Sequence, residues 1–180
     1  PYRFPAANGA RRVAQGAPLS MSHIDSCAAR EAQPGPARTY PRRPYLGVSV
    51  AVFRAGRVLL ARRAKPPYAG AFSLPGGLVE IGETLAAAAL REVQEELQIT
   101  ARIVAFNQFV DSIDRDNAGK IRYHYVVASF AGEWIAGEAK SGPEAEEAVW
   151  VEPARLAGFD CTPQIVSVVA AAQRALKAHV

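Results

Sequence analysis

The apolar positions of the chain fall into runs of two kinds, several short and β-rich, two longer with helical spacing. Tyr45 to Phe53 (YLGVSVAVF) and Arg57 to Arg63 (RVLLARR) are β-rich runs joined by Arg54-Ala55-Gly56, and they predict a hairpin. Lys65 to Gly70 predicts a loop. Phe72-Ser73-Leu74 is a short extended piece that delivers the chain to Pro75-Gly76-Gly77. Arg102 to Val110 and Ile121 to Phe130 predict two further strands, paired antiparallel across the polar turn Asp114 to Lys120. Glu138 to Glu147 (EAKSGPEAEE) reads as an exposed acidic loop before a strand over Ala148 to Val151, with Trp150 as a core anchor.

The longer runs predict helices. From Thr84 to Leu97 the chain is dominated by Ala, Leu, Glu, Gln and Arg, with no Gly or Pro, and Thr84 is placed to cap the N-terminus. Ala86, Leu90, Val93 and Leu97 form the apolar stripe expected to face a sheet. Pro163 to Lys177 is an Ala/Val-rich amphipathic stretch, with Thr162 as N-cap and Pro at the first helical position. Mixed strands with one helix in the middle and one at the end predict an α/β fold, a mixed sheet sandwiched between helices. Periodicity does not give the strand order. Residues 1 to 44 are rich in Pro, Ala, Gly and Arg without a sustained period and read as a disordered or extended tail, leaving a domain over 45 to 180. The only Met is Met21, which is expected to be the natural start, residues 1 to 20 coming from an expression vector or an upstream reading.

Composition narrows the class. At 180 residues, 49% hydrophobic and 21% charged, the chain holds enough core for one globular domain. No apolar run approaches the ~18 residues of a membrane span, so a cytoplasmic protein without a membrane partner is expected. Cys27 and Cys161 fit no metal spacing and read as plain thiols. The sequence pI is near 9.3, but no basic block interleaved with aromatics appears; a polyanionic small substrate explains the charge without nucleic acid. Monomer and homodimer both stay open.

Against that basic background, four of the 17 acidic residues, Glu83, Glu92, Glu95 and Glu96, lie between Gly77 and Ile99. At ~100° per residue, Glu92, Glu95 and Glu96 share one arc of the helix away from the apolar stripe. Like charges ~6 Å apart at an effective dielectric of ~20 repel by about 3 kcal/mol per pair, so the cluster needs compensation. A hard divalent cation, Mg2+ or Mn2+, suits oxygen-only ligands, and the absence of His and Cys from the stretch argues against zinc. The bland alternative is a solvated acidic face in which Arg91 bridges to Glu95 at i,i+4.

The flanking residues add to this. Gly77, five residues, Glu83, seven residues, Arg91-Glu92-Val93-Gln94-Glu95-Glu96, one residue, Gln98 and Ile99, preceded by Leu74-Pro75-Gly76-Gly77, resembles the signature of the Nudix hydrolases. Only Gln98 departs, standing where the family has a Gly that closes the helix in a left-handed conformation. The resemblance, which covers about Tyr45 to Lys177, implies the Nudix fold and hydrolysis of nucleoside diphosphates linked to another moiety. It implies metal ligation by Glu92, Glu95 and Glu96 together with Gly76, and catalysis involving Glu92, Glu95 and Arg91, with Arg91 orienting Glu95 or Glu96. Glu83 is a structural member of the box.

Arg63 matches a position that contacts substrate phosphate in related enzymes; a snorkelling surface Arg is the alternative. Gly76 and Gly77 would let backbone approach the substrate without side-chain obstruction, and Gly77 and Phe72 join Arg63 in the expected substrate site. Tyr68, Phe109, Tyr123 and Tyr125 offer further stacking surfaces, or sheet packing. The base that takes the proton from water is expected to be Glu92 or Glu95; the acidic loop offers Glu144, Glu146 and Glu147 instead. ADP-ribose or an NDP-sugar is the first expected substrate, a nucleoside triphosphate (MutT-like) the second. A nucleotide-binding module without catalysis is the reading from another class, and the four box carboxylates speak against it.

Overall fold

A computed structural model describes residues 38–140, 142 and 145–179. Its elements, in chain order, are β1 (Tyr45–Arg54), β2 (Arg57–Arg63), β3 (Phe72–Ser73), β4 (Gly76–Leu78), α1 (Leu85–Leu97), β5 (Thr100–Arg115), β6 (Ile121–Ala136), β7 (Ala145–Val151), a 3-10 turn (Pro153–Gly158) and α2 (Ile165–Lys177). Seven strands form one sheet in the order β3-β2-β1-β6-β5, with β4 paired to β1 and β7 to β2. The β1–β6 pair is parallel and the others are antiparallel. The sheet is therefore mixed, as expected.

Strand β1 lies at the centre because both of its faces are apolar. Val48, Val50 and Val52 point to one side, where Leu59, Ala61 and the α1 residues Ala88, Ala89, Val93 and Leu97 complete a buried cluster. Ala51 and Phe53 point to the other, against Val58, Leu60 and the α2 residues Ile165, Val169 and Ala172. Two helices thus cover two faces of one sheet. Fully burying a residue such as Val93 or Leu97 contributes about 1.5–3 kcal/mol each.

The buried stripe of α1 differs from the expected one: Ala86 is exposed and Leu90 half-buried, while Ala88, Ala89, Glu92, Val93 and Leu97 are buried. The helix is rotated so that Glu92 joins the covered side. Thr84 caps α1 as expected, its Oγ1 accepting from Ala87 N–H at 3.2 Å. For α2 the expected cap is corrected: the cap position is Gln164, in a left-handed conformation with no side-chain hydrogen bond, and Thr162 lies before it.

Strands β5 and β6 run well past the expected ends at Val110 and Phe130, and their pairing continues to Arg115 opposite Ile121. Between Val110 and Asp114 the pairing is regular but Asp111, Ser112 and Asp114 are polar, so the apolar pattern stops short of the structure. At the other end register shifts at Thr100/Ala101 and Ile103/Ala105 break the period of two. The turn is correspondingly tighter, Asp116 Oδ1 accepting from the N–H groups of Ala118 and Lys120 at 2.9 Å each. The expected acidic loop over Glu138 to Glu147 is also shorter, since β7 begins at Ala145 and carries Glu146 and Glu147. Trp150 is half-buried beside the α1-side cluster rather than a fully covered anchor.

The domain's contacts begin ahead of the expected boundary at residue 45. Tyr40 N–H donates to Arg122 O at 2.8 Å, its hydroxyl donates to Asp116 Oδ2 at 3.0 Å, and Lys120 Nζ sits 4.4 Å from its ring centre. The rest of the expected tail, residues 1–37 with Met21 and Cys27, lies outside the described residues. Cys161 is a free thiol. Among the described residues no helix is long and apolar enough to cross a membrane.

Gln98 closes α1 at φ 57°, ψ 30°, its N–H donating to Gln94 O at 3.0 Å. The departure from Gly therefore changes the residue but keeps the left-handed geometry, at a cost a Cβ-less residue escapes. Gln98→Gly is expected to raise the unfolding free energy by up to about 1 kcal/mol in a urea titration and to leave turnover unchanged. A loss of stability would show that the Gln side chain stabilises the helix end by more than its backbone strain costs.

Candidate active site

The loop from Val79 to Thr84 turns back on α1. Glu83 N–H donates to Glu80 O at 3.2 Å, and Glu80 N–H donates to Glu83 Oε2 at 3.0 Å. That turn holds the Glu83 carboxylate over the Arg91 side chain. All five guanidinium N–H groups of Arg91 then find acceptors. Nε and Nη2 donate to the two oxygens of Glu83 at 2.8 and 2.9 Å, Nη1 to Glu92 Oε1 at 2.9 Å and Glu95 Oε2 at 3.0 Å, and Nη2 again to Leu78 O at 3.0 Å. The planar fork fits Glu83 in a bidentate pair and reaches two more carboxylates from its other edge.

The electrostatics follow this geometry. Hydrogen bonding to Arg91 is the main cause that holds the Glu83 carboxyl below its ordinary range, with the Glu80 N–H second. Glu83, Glu92 and Glu95 raise the Arg91 pKa further, so that it stays a cation. Because no guanidinium proton remains for a ligand, the catalytic assignment of Arg91 is corrected: it positions carboxylates. It touches Glu95, as expected, and Glu92, while Glu96 is held by another group.

Gly76 and Gly77 explain where those carboxylates sit. A Cβ on Gly77 would collide with Cδ and both oxygens of Glu92, and one on Gly76 would collide with Val48 O and Ser49 Cα. The first glycine lets β4 close on β1; the second makes room for the buried Glu92 carboxylate. What approaches these glycines is the protein itself. Gly76 N–H also donates to Glu96 Oε2 at 3.0 Å, which ties the helix to β4. Glu95 stays mostly exposed, with 61% of its side chain accessible.

Among the described residues no three His, Cys, Asp or Glu side chains converge as ligands of one ion, since Glu92 and Glu95 turn toward Arg91 and Glu96 toward Gly76. The donor chemistry still fits a hard cation. Glu92, Glu95 and Glu96 border a single cavity whose lining contains neither His nor Cys, and hard divalent ions take carboxylate and carbonyl oxygens.

That cavity has a volume of about 1100 Å³ and runs from α1 past β1 and β2 to β5, β6 and the start of α2. Arg63 borders it with Nε committed to Pro67 O at 2.9 Å, and Gly77, Tyr68 and Tyr125 border it as well. Phe72 does not: it is 4% exposed, packs edge-on against Phe159 at 5.4 Å and lies beneath Arg62, so its substrate-binding assignment is corrected to core packing. Phe109 and Tyr123 are also absent from the lining. Glu147 accepts from Arg62 Nε at 2.9 Å, and neither it nor Glu146 borders the cavity; their place on β7 corrects the reading of them as loop bases. Glu144 lies outside the described residues.

The lining also includes residues that are not among the sequence candidates, Arg38, Asp111 and Gln164 among them. Gln164 Nε2 donates to Asp111 O at 3.2 Å, joining α2 to β5 at the cavity's far side. No local pattern marks such residues, because they meet only through the fold. The left-handed Gln164 carries no Gly or Asn signal.

Comparison with known proteins agrees with this geometry. The family model described as "NUDIX domain" matches residues 43–175. The chain is 35% identical over 105 residues to an ADP-ribose pyrophosphatase of Methanocaldococcus jannaschii, covering 58% of this chain and 60% of that one, so the match spans less than two thirds of the relative. It is 30% identical over 127 residues to a CTP pyrophosphohydrolase of Escherichia coli, covering 69% of this chain and 87% of the relative. Among solved structures, a MutT NUDIX hydrolase from Burkholderia pseudomallei superposes with a TM-score of 0.61 at 29% identity, over 71% of this chain and 97% of that one. Nudix hydrolases generally use divalent metal ions and act on small nucleotide substrates. With Glu83, Glu92 and Glu95 gathered around Arg91 and the family model matching residues 43–175, this chain belongs to the Nudix hydrolase family.

Proposed function

We propose that the protein hydrolyses the diphosphate linkage of a nucleoside diphosphate joined to another moiety, with ADP-ribose or an NDP-sugar as substrate and Mg2+ or Mn2+ as cofactor. The observation that carries this reading is that Glu92, Glu95, Glu96 and Arg63 border one cavity of about 1100 Å³, roomy enough for both halves of such a molecule. The similarity to an ADP-ribose pyrophosphatase supports the choice of substrate. Nucleoside triphosphates are the second reading, favoured by the more complete match to the CTP pyrophosphohydrolase.

In this reading Glu92, Glu95 and Glu96, with the backbone of Gly76, hold the divalent cation. Bound there, the cation neutralises negative charge on the diphosphate and acidifies water. Arg63 directs its terminal nitrogens at phosphate oxygens. Glu92 or Glu95 accepts the proton from the attacking water; Oε1 of Glu95 lies opposite the Oε2 that Arg91 holds, on an exposed side chain at the cavity's edge. Arg91 and Glu83 keep these carboxylates in register. The cleaved bond joins phosphorus to the bridging oxygen, and the water's oxygen ends on one of the two phosphates.

Glu96→Gln keeps the side-chain volume and removes the charge. Its kcat is expected to fall by well over tenfold, roughly 1.4 kcal/mol per factor of ten in transition-state stabilisation, with the melting temperature retained and a higher metal concentration needed for half-activation. Undiminished turnover in that variant, or in wild type after exhaustive chelation, contradicts the assignment. Glu146→Gln and Glu147→Gln are each expected to keep kcat within about tenfold, short of the ~10²-fold or more that loss of a general base costs. A thousandfold fall in either, with metal affinity intact, would move the base to β7.

A further inference from the structure

Arg38 precedes the residues matched by the family's domain, yet it borders the same cavity as the box carboxylates. Its placement has a visible cause. Two residues on, Tyr40 is fixed to the tip of the β5–β6 hairpin through the Arg122 carbonyl, the Asp116 carboxylate and the Lys120 ammonium. From Tyr40 the chain passes into β1, which begins at Tyr45.

Arg38 is also uncommitted. Among the described residues it makes no hydrogen bond or ion pair, and Arg63 uses only Nε, on Pro67 O. The two guanidinium groups act on a third lining residue, Tyr125: burial is the largest influence on its hydroxyl and raises the pKa, while the charges of Arg38 and Arg63 pull it down. The Tyr125 ring packs against Tyr45 at 6.0 Å and Tyr123 at 6.4 Å between centroids. The α1 carboxylates that border the cavity are engaged elsewhere, by Arg91 and by Gly76 N–H. Arg38, Arg63 and Lys65 in one lining, with the Tyr125 phenol beside them and Glu80 and Asp111 as its remaining acids, suit an anion with several oxygens.

We propose that Arg38, Arg63 and the Tyr125 hydroxyl form an anion subsite that binds phosphate oxygens of the substrate, and that Tyr40 positions Arg38 in it. The proposal rests on the nucleoside diphosphate reading above and adds to it a substrate contact supplied from outside the family's domain. Arg38 is the residue in contact; Tyr40 acts through it.

The test is calorimetric titration of the protein with α,β-methylene-ADP in the presence of Mg2+. Arg38→Gln is expected to weaken binding by at least about tenfold, the loss typical of a charge-assisted hydrogen bond, with Arg38→Lys recovering part of it. Tyr40→Phe, which removes only the hydroxyl bonded to Asp116, should weaken binding by a smaller factor. Combined with Arg38→Gln it should add less than about twofold, because two changes acting through one contact are not additive. Wild-type binding by Arg38→Gln, a fully additive Tyr40→Phe effect, or no binding by the wild-type protein would each overturn the proposal. Arg38-dependent binding in a protein that hydrolyses no nucleotide would leave the subsite standing and remove the hydrolase reading instead.

Discussion

The site depends on one guanidinium. Arg91 neutralises part of a carboxylate cluster that would otherwise repel itself, and its five hydrogen bonds link the loop before α1, the helix itself and the end of β4. Such a network requires that every donor be satisfied at once, which fixes the relative position of the three segments. The same requirement explains Gly77: the buried Glu92 carboxylate can face Arg91 only if β4 carries no side chain at that point. Charge, helix rotation and the glycine pair are parts of one constraint.

Much of this was legible in the chain. The helix, its Thr84 cap and the acidic arc follow from local chemistry, which a sequence displays, whereas a left-handed closure at residue 98 was implied only by the resemblance, Gln carrying no such signal. The sandwiched sheet was legible as a class because strands alternate with one helix in the middle of the domain and one at its end. Its order was not, since nothing in the runs themselves tells β6 to lie parallel to β1. Polar residues at Asp111, Ser112 and Asp114 hid the length of the hairpin toward its turn.

The site residues that were misread share a physical cause. Phe72 looks like a stacking surface until the side of the sheet it faces is known; it lies in the α2-side core with Phe159. Glu147 looks like a loop acid until β7 pairs it with Arg62. Arg91 looks like a catalytic cation until its protons are counted. Arg38 sits in a Pro/Arg-rich stretch with no period, and nothing local marks its approach to the cavity. In each case the deciding partner is distant in sequence.

The arrangement amounts to a rigid acidic edge on one helix facing a cavity whose other walls supply cations and aromatic surface, a division suited to a polyanion bridged by metal on one side and by Arg on the other. Its central claim is hydrolysis of a diphosphate linked to a second moiety. Incubation with ADP-ribose, with and without Mg2+, followed by mass spectrometry of the products in 18O-labelled water, tests this most directly. The account predicts AMP and ribose 5-phosphate, with one 18O in one of the two, only when the metal is present. Intact ADP-ribose and NDP-sugars at every metal concentration, or the same products in chelator, would contradict it.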